Sequence, residues 1–349
     1  MNLKKERRPE MESNKKIYYS QYLAIDWSIV DVEIARMSAQ GTKILTRRFA
    51  PDIKQIKEYL NSIKGKKILT IEETTSSHWL YVELLDCVDR IIICDPYRNS
   101  LLSEGPKNDK IDARKLCLLL RSGLLKEVYH SLDDDYKIRK LVSAYEALVK
   151  AGVRVKNQKS AIYRAEGLRY KKDKIKKQDE ILSFIEQQQN ASIIHYEQEK
   201  EKYKNKFRGI KKKNKLIKML CGISGIGTIA AVKIYAKVID AGRFENKYKY
   251  WGMCGLVYYK RESGGRNYGR KKPRYSRTLK SVYKIAAMAA IGGKNDIRDY
   301  YEVLLKQGYS ISEARNQIAR YIAKVSYGVM KNKIPYRAYQ WRELKKAAA

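Results

Sequence analysis

Histidine is almost missing from this chain: His78, His130 and His195 are the only three in 349 residues. Chemistry built on an imidazole base therefore has little material, although His78 follows Glu73 closely enough to lie near a site. His130 and His195 sit among charges and are expected at the surface. The five cysteines, Cys87, Cys94, Cys117, Cys221 and Cys254, are odd in number and contain no Cys-x-x-Cys pair. Most lie in apolar runs, which argues against a structural zinc and predicts buried free thiols. No apolar run approaches the roughly 20 residues needed to cross a bilayer. The basic opening from Met1 to Pro9 lacks the apolar core of a secretion signal. A cytoplasmic protein with no membrane partner is expected, one that associates with the nucleoid when it acts.

Acids fall far behind bases. Against 74 Lys+Arg there are 38 Asp+Glu, a formal net charge of +36. Such a field gathers polyanions, and nucleic acid is the natural partner. Phenylalanine is nearly absent while tyrosine abounds, 4 against 28. A phenol ring offers a flat stacking face and a polar tip that tolerates a wet surface. Tyr248-Lys-Tyr-Trp251 and Tyr258-Tyr-Lys-Arg261 interleave stacking with charge. Codon drift toward Lys and Tyr would account for part of this excess but not for the shortfall of acids.

The acids that are present fall at informative places. The apolar run from Tyr22 to Ile25 ends at Asp26, and that from Lys67 to Ile71 ends at Glu72 and Glu73. Each reads as a buried strand that delivers a carboxylate to a sheet edge. A third run, Arg90 to Cys94, is turned into a loop by Asp95-Pro96. Beyond it, Ile111, Leu116, Leu119 and Leu120 recur at helical spacing, and Asp109 and Asp112, three apart, share one face. Taken singly, each acid is adequately explained as a cap or a solvated end. Carboxylates converging from two strands and a helix would repel one another unless a cation neutralised them. With no His or Cys beside them, the oxygen ligands suit Mg2+, with Mn2+ as a substitute. Two such ions about 4 Å apart can activate an attacking oxygen and stabilise a leaving one.

Proline is absent between Pro106 and Pro273. The stretch 132–218 is rich in Lys, Glu, Gln, Ala and Leu and reads as long helices, an antiparallel pair or coiled-coil arm. Ile138, Leu141, Val142, Tyr145, Leu148 and Val149 form one packing stripe; Ile181, Leu182, Phe184 and Ile185 begin another. The basic run from Arg169 to Lys177 marks the break between helices. A flexible leader (1–17), an α/β domain (18–131), this helical linker and a C-terminal domain (219–345) are the expected divisions. The last opens with Gly222-Ile-Ser-Gly225-Ile-Gly227. That segment is either a simple inter-helix turn or a helix-hairpin-helix element whose Gly225 and Gly227 let backbone amides approach a phosphate. Further on, Arg261-Glu-Ser263-Gly264-Gly265-Arg266 leads through Arg270 and Lys271 in a glycine-rich basic loop with one hydroxyl at its apex. Composition alone favours a turn role for Ser263 over a phosphate contact or a nucleophile. The apolar helix from Leu279 to Gly293 is expected to support that loop.

Taken together, these motifs resemble the DEDD transposases of insertion-sequence family one hundred and ten, relatives of the Piv DNA invertases. The N-terminal match is carried by Ile25-Asp26, Glu73-Thr-Thr75 with Trp79, Asp95-Pro96 and Lys107-Asn-Asp109-Lys-Ile-Asp112-Ala-Arg114. The C-terminal match is carried by Gly222–Gly227, Arg243-Phe244, Gly252-Met-Cys-Gly255-Leu256 and Ser263-Gly264. The resemblance implies a RuvC-like ribonuclease-H fold, a helical linker and a mainly helical transposase domain with an essential serine. It further implies Mg2+ on Asp26, Glu73, Asp109 and Asp112, and a covalent phosphoserine at Ser263. Partners would be double-stranded DNA, a noncoding bridge RNA and further copies of the chain in a dimer or tetramer. Glu72 is the alternative second ligand; register with Trp79 favours Glu73. Arg261, Gly264, Arg266, Arg270 and Lys271 are candidate nucleic-acid contacts. The competing functions are a RuvC-like nuclease or junction resolvase, and a non-catalytic nucleic-acid-binding scaffold.

Overall fold

Strands β1 (Gln21–Trp27), β2 (Val32–Ser38), β3 (Ile44–Phe49), β4 (Lys67–Glu72) and β5 (Arg90–Cys94) form one sheet in the order β3-β2-β1-β4-β5. The computed structural model describes residues 18–41, 43–97, 108–130, 133–170, 172, 173, 175 and 179–339. The expected leader, Lys107, four lysines of the Arg169–Lys177 break and the tail beyond residue 339 lie outside these. The chain divides into two compact units, residues 1–132 and 133–349.

In the first unit β1 pairs antiparallel with β2 and parallel with β4, and β4 pairs parallel with β5. The side-chain period of two sorts each strand between two cores. Leu23, Ile25, Leu69, Ile71, Ile91 and Ile93 turn to one face, where α1 (Ile53–Ser62) adds Ile56 and Leu60 and α2 (Ser77–Leu84) adds Leu80 and Leu84. Ala24, Ala35 and Met37 turn to the other and meet Ala113, Leu116 and Cys117 of α3 (Asp109–Arg121). Alanine on both sides lets α3 lie close to the sheet, and the Cys117 thiol reaches the Tyr22 carbonyl at 3.3 Å. This mixed sheet with helices on both faces is compatible with the ribonuclease-H-like domain expected.

The second unit begins with two long helices, α4 (Asp133–Ala165) and α5 (Glu180–Lys213). They run antiparallel: Tyr145 packs on Phe207, Lys156 pairs with Glu197 and Lys159 with Glu186. The boundary expected at 218/219 falls inside this unit, because Val142, Tyr145 and Phe207 belong to the same core as the helices that follow. The first packing stripe holds, with Ile138, Leu141 and Val149 flanking that core. The second divides: Leu182 and Ile185 are half-buried, whereas Ile181 and Phe184 are 74% and 60% exposed.

Short helices α6 (Lys215–Cys221), α7 (Thr228–Val238) and α8 (Lys247–Met253) lead to a two-stranded ribbon, β6 (Tyr259–Ser263) and β7 (Arg266–Lys271). Helices α9 (Arg277–Gly292), α10 (Asp296–Lys306) and α11 (Ile311–Asn332) complete the unit. A buried hydroxyl chain, Tyr250 to Tyr283 to Ser326, links α8, α9 and α11. Burial pushes both phenols above their ordinary range. Much of the tyrosine excess thus serves packing: Tyr145, Tyr163, Tyr196, Tyr250, Tyr283 and Tyr327 are buried. Four of the five cysteines are buried and all are free thiols, as expected.

The glycine turn between α6 and α7 is set by packing. Gly225 has φ +87, and a Cβ there would fall 2.2 Å from the Ala286 carbonyl oxygen of α9. Gly227 has φ −82, and a Cβ there would meet nothing within 4 Å. Gly225→Ala should therefore lower stability by about 2–4 kcal/mol, from left-handed strain plus overpacking. Gly227→Ala should cost under about 1 kcal/mol. Thermal unfolding of the two variants checks the contrast.

Candidate active site

Strand alternation selects which acids meet. Tyr22, Ala24 and Asp26 share the α3 face of β1, and Ile68, Thr70 and Glu72 share the same face of β4, with Ile25 and Ile71 in register. Asp109 and Asp112 occupy the first turn of α3, behind the Asn108 cap, whose side chain accepts from the Lys110 amide. Negative charge is favoured at that end of a helix by the macrodipole. Two of these carboxylates are shifted by their neighbours. Asp26 is pushed up to about 6, first by burial and then by Asp109, Glu72, Asp112 and Glu33 in turn. Glu72 is also raised, by burial and then by Asp112. Glu33 enters because it lies directly opposite Asp26 across the β1–β2 ladder.

Glu73, favoured from the sequence, is not among the charges that raise Asp26. It lies one residue past β4, its amide donates to the Cys94 carbonyl at 3.0 Å, and it is exposed where Glu72 is half-buried. Register with Trp79 and the strand alternation of β4 pick different members of this adjacent pair, since a step of one residue turns a side chain to the opposite side of the sheet. Trp79 instead packs edge-on against Trp27 at 5.2 Å. His130 is also not a surface residue: it stacks on buried His78 with ring centroids 5.9 Å apart.

Among the described residues, no three His, Cys, Asp or Glu side chains are gathered tightly enough to hold a metal ion. The donor chemistry nevertheless fits a hard divalent cation. All four groups are carboxylates, two are half-buried on one sheet face, and none forms an ion pair with Lys or Arg among the described residues.

This imbalance has a pH signature. In the folded chain Asp26 titrates near 6 rather than 3.8, so the fold binds its proton more tightly than the unfolded chain does. Its contribution is therefore fully present below pH about 4 and lost as the pH rises through about 6. In metal-free protein Asp26→Asn should raise stability at neutral pH, on the order of 1 kcal/mol after solvent screening, and leave it unchanged near pH 4. Thermal unfolding of both proteins across that range measures the difference.

Ser263 and the basic candidates lie in the second unit. Ser263 is the last residue of β6, paired with Arg266, and Gly264 and Gly265 have φ +55 and +74. Two consecutive positive φ values make the type I′ turn that matches strand twist, so the expected loop is an ordered ribbon. Every residue of both strands is exposed, Arg261, Arg266, Arg270 and Lys271 included. Tyr258, Tyr259 and Tyr268 are each more than half exposed beside them, and Lys272 lies over the Tyr258 ring at 5.0 Å.

The ribbon is rooted by the glycine signature. A Cβ on Gly255 (φ +64) would strike the Tyr275 ring at 2.5 Å, Ser276 donates its amide to the Met253 carbonyl at 2.8 Å, and Arg320 donates to the Leu256 carbonyl at 2.9 Å. Arg243 donates to the Lys237 carbonyl. Helix α9, expected to support the ribbon, begins at Arg277 after β7 ends at Lys271 and packs on α7, α10 and α11. Gly225 and Gly227 sit in the α6–α7 turn, outside the ribbon.

No helix among the described residues is long and apolar enough to cross a membrane. No curated protein matches the chain. Residues 23–164 match the family model for the DEDD transposase of IS110, described as Transposase. Residues 217–302 match the model described as Transposase IS116/IS110/IS902 family. The first match runs from β1 through the acid-bearing strands and α3, and the second covers the glycine turn and the serine ribbon. The chain therefore belongs to the IS110 family of DEDD transposases, enzymes of DNA recombination.

Proposed function

We propose that the chain breaks and rejoins DNA with Asp26, Glu72, Asp109 and Asp112 as metal ligands and Ser263 as nucleophile. The observation that carries this reading is the placement of Asp26 and Glu72 on the sheet face that α3 covers, with Asp109 and Asp112 in the first turn of that helix. Divalent ions held there, Mg2+ with Mn2+ as a substitute, would neutralise charge building on a transferring phosphate and ease deprotonation of an attacking hydroxyl. Ser263 needs such help, since a serine hydroxyl is weak near neutral pH without a base and has no side-chain hydrogen bond among the described residues. In the step proposed, the Ser263 Oγ proton leaves and Oγ bonds phosphorus. The bond from phosphorus to one deoxyribose oxygen breaks, and that oxygen takes up a proton. Rejoining reverses these changes with a different deoxyribose hydroxyl. Arg261, Arg266, Arg270 and Lys271 surround the serine on the ribbon and would hold the phosphate backbone.

Guidance by a noncoding bridge RNA and assembly of several copies complete the reading; family resemblance supports both, and the +36 charge supports the RNA. Specificity delegated to base pairing would leave little trace in side chains. Incubating the protein with its co-purifying RNA, element-end DNA and Mg2+ tests the reading. A denaturant-resistant protein–DNA adduct is expected. Free cleaved ends without an adduct would point instead to a metal-dependent nuclease.

A further inference from the structure

Between Lys150 and Ala165, helix α4 contains five cations and no acid. The cations divide by face. At 3.6 residues per turn, Gly152, Lys156, Lys159 and Tyr163 lie on one side. All four meet α5: a Cβ on Gly152 would strike the Tyr196 ring, Lys156 pairs with Glu197 at 2.6 Å, Lys159 with Glu186 at 3.1 Å, and Tyr163 donates to Glu186. Lys150, Arg154, Asn157, Gln158 and Arg164 fall on the opposite side, where they line a shallow groove. Each of them is exposed, and none meets an acid among the described residues. Acids of α5 are meanwhile engaged: Glu197 also with Lys200, Glu199 with Lys202, and Glu201 with Lys204 and Arg208.

The helix thus spends its paired cations on the arm and leaves an acid-free face of three cations and two amides. No described residue of the unit neutralises it, so its complement is a polyanion. We propose that this outer face of α4 is a track for the phosphate backbone of duplex DNA, an inference that rests on the family's DNA chemistry and on no assignment at Ser263. The dimensions suit a duplex. Lys150 and Arg164 are 14 residues apart, roughly 21 Å along the axis, and Arg154 and Arg164 are separated by roughly 15 Å. The latter slightly exceeds the major-groove width of about 12 Å, so Arg154 and Arg164 can reach opposite backbones across one groove. Amides beside the cations add hydrogen bonds to phosphate oxygens. Val153 floors the groove without reading a base, so contact here would position DNA independently of sequence.

The test is salt-dependent binding of the full chain to a duplex of arbitrary sequence, with a hairpin RNA of equal charge in a parallel arm. Replacing three phosphate contacts in Lys150→Gln/Arg154→Gln/Arg164→Gln should make the slope of log K against log salt shallower by about 2–3 for DNA. Asn157→Asp/Gln158→Glu, which puts acids on the same face, should weaken DNA binding in the same way. Lys202→Gln/Arg208→Gln, on paired cations of α5, should change the slope by less than about 1. Unfolding temperatures establish that each variant is folded, as exposed substitutions predict. An unchanged DNA slope in the triple variant, or a loss confined to the RNA arm, overturns the proposal. Neither result depends on whether Ser263 forms an adduct.

Discussion

Ser263→Ala should abolish strand exchange and the covalent DNA adduct while leaving folding and DNA affinity at wild-type levels. The loss should reach at least about 10³-fold, the scale seen when the attacking group of a covalent mechanism is removed. Binding should survive because the hydroxyl is exposed and makes no side-chain hydrogen bond among the described residues, so its removal leaves nothing buried and unpaired. The ribbon should survive because its turn is specified by Gly264 and Gly265, both at positive φ. The decisive measurement is denaturing electrophoresis of protein incubated with labelled element-end DNA, RNA and Mg2+. Wild-type recombination by Ser263→Ala would remove the serine from the mechanism and leave the acids as a nuclease centre. Thr in place of Ser263 retains a hydroxyl and should keep part of the activity, which a purely structural role would not predict.

Equally large is the contrast between two adjacent glutamates. Glu72→Gln should lower Mg2+-dependent strand breakage by about 10²-fold or more, since it removes one charged oxygen ligand at the reacting phosphate. Glu73→Gln should stay within about threefold of wild type, because Glu73 is exposed and is not among the charges that raise Asp26. A second readout separates lost metal ligation from lost packing. Mg2+ should raise the unfolding temperature of wild type and Glu73→Gln more than that of Glu72→Gln. Should Glu73→Gln prove inactive and Glu72→Gln active, the proposed ligand set would be wrong by one residue. Glu33→Gln offers a graded check. Its carboxylate contributes last to the field on Asp26, so a modest loss is expected.

Much of this was legible in the residues. Apolar runs ending at Asp26 and at the Glu72-Glu73 pair gave two central strands at the right places, because a buried strand needs a short continuous apolar segment. The apolar spacing of Ile111, Leu116, Leu119 and Leu120 located α3 and the shared turn of Asp109 and Asp112. Scarce histidine and surplus charge directed attention to oxygen ligands and nucleic acid. Local pattern misled where the outcome depended on what lay across a gap. Ile181 and Phe184 have helical spacing, but a stripe is buried only if a partner covers it. Tyrosine counts pointed to stacking surfaces, yet Tyr250 and Tyr283 form a buried hydroxyl chain that needed the meeting of α8, α9 and α11.

The sequence by itself determined which elements form and which residues could carry chemistry: the acids, the serine between strand and glycine pair, and the cation surplus. Only the tertiary structure decided which of those residues stand together. Pairing of β1 with β4 and of β1 with β2 placed Glu72 and Glu33 beside Asp26. Close approach of α9 made Gly225 a packing residue, with the Ala286 carbonyl where a side chain would be. The pairing of α4 with α5 consumed one set of cations and left the other facing outward. In each case the deciding quantity is a distance between segments far apart in the chain, and side-chain periodicity records a face without recording what will meet it.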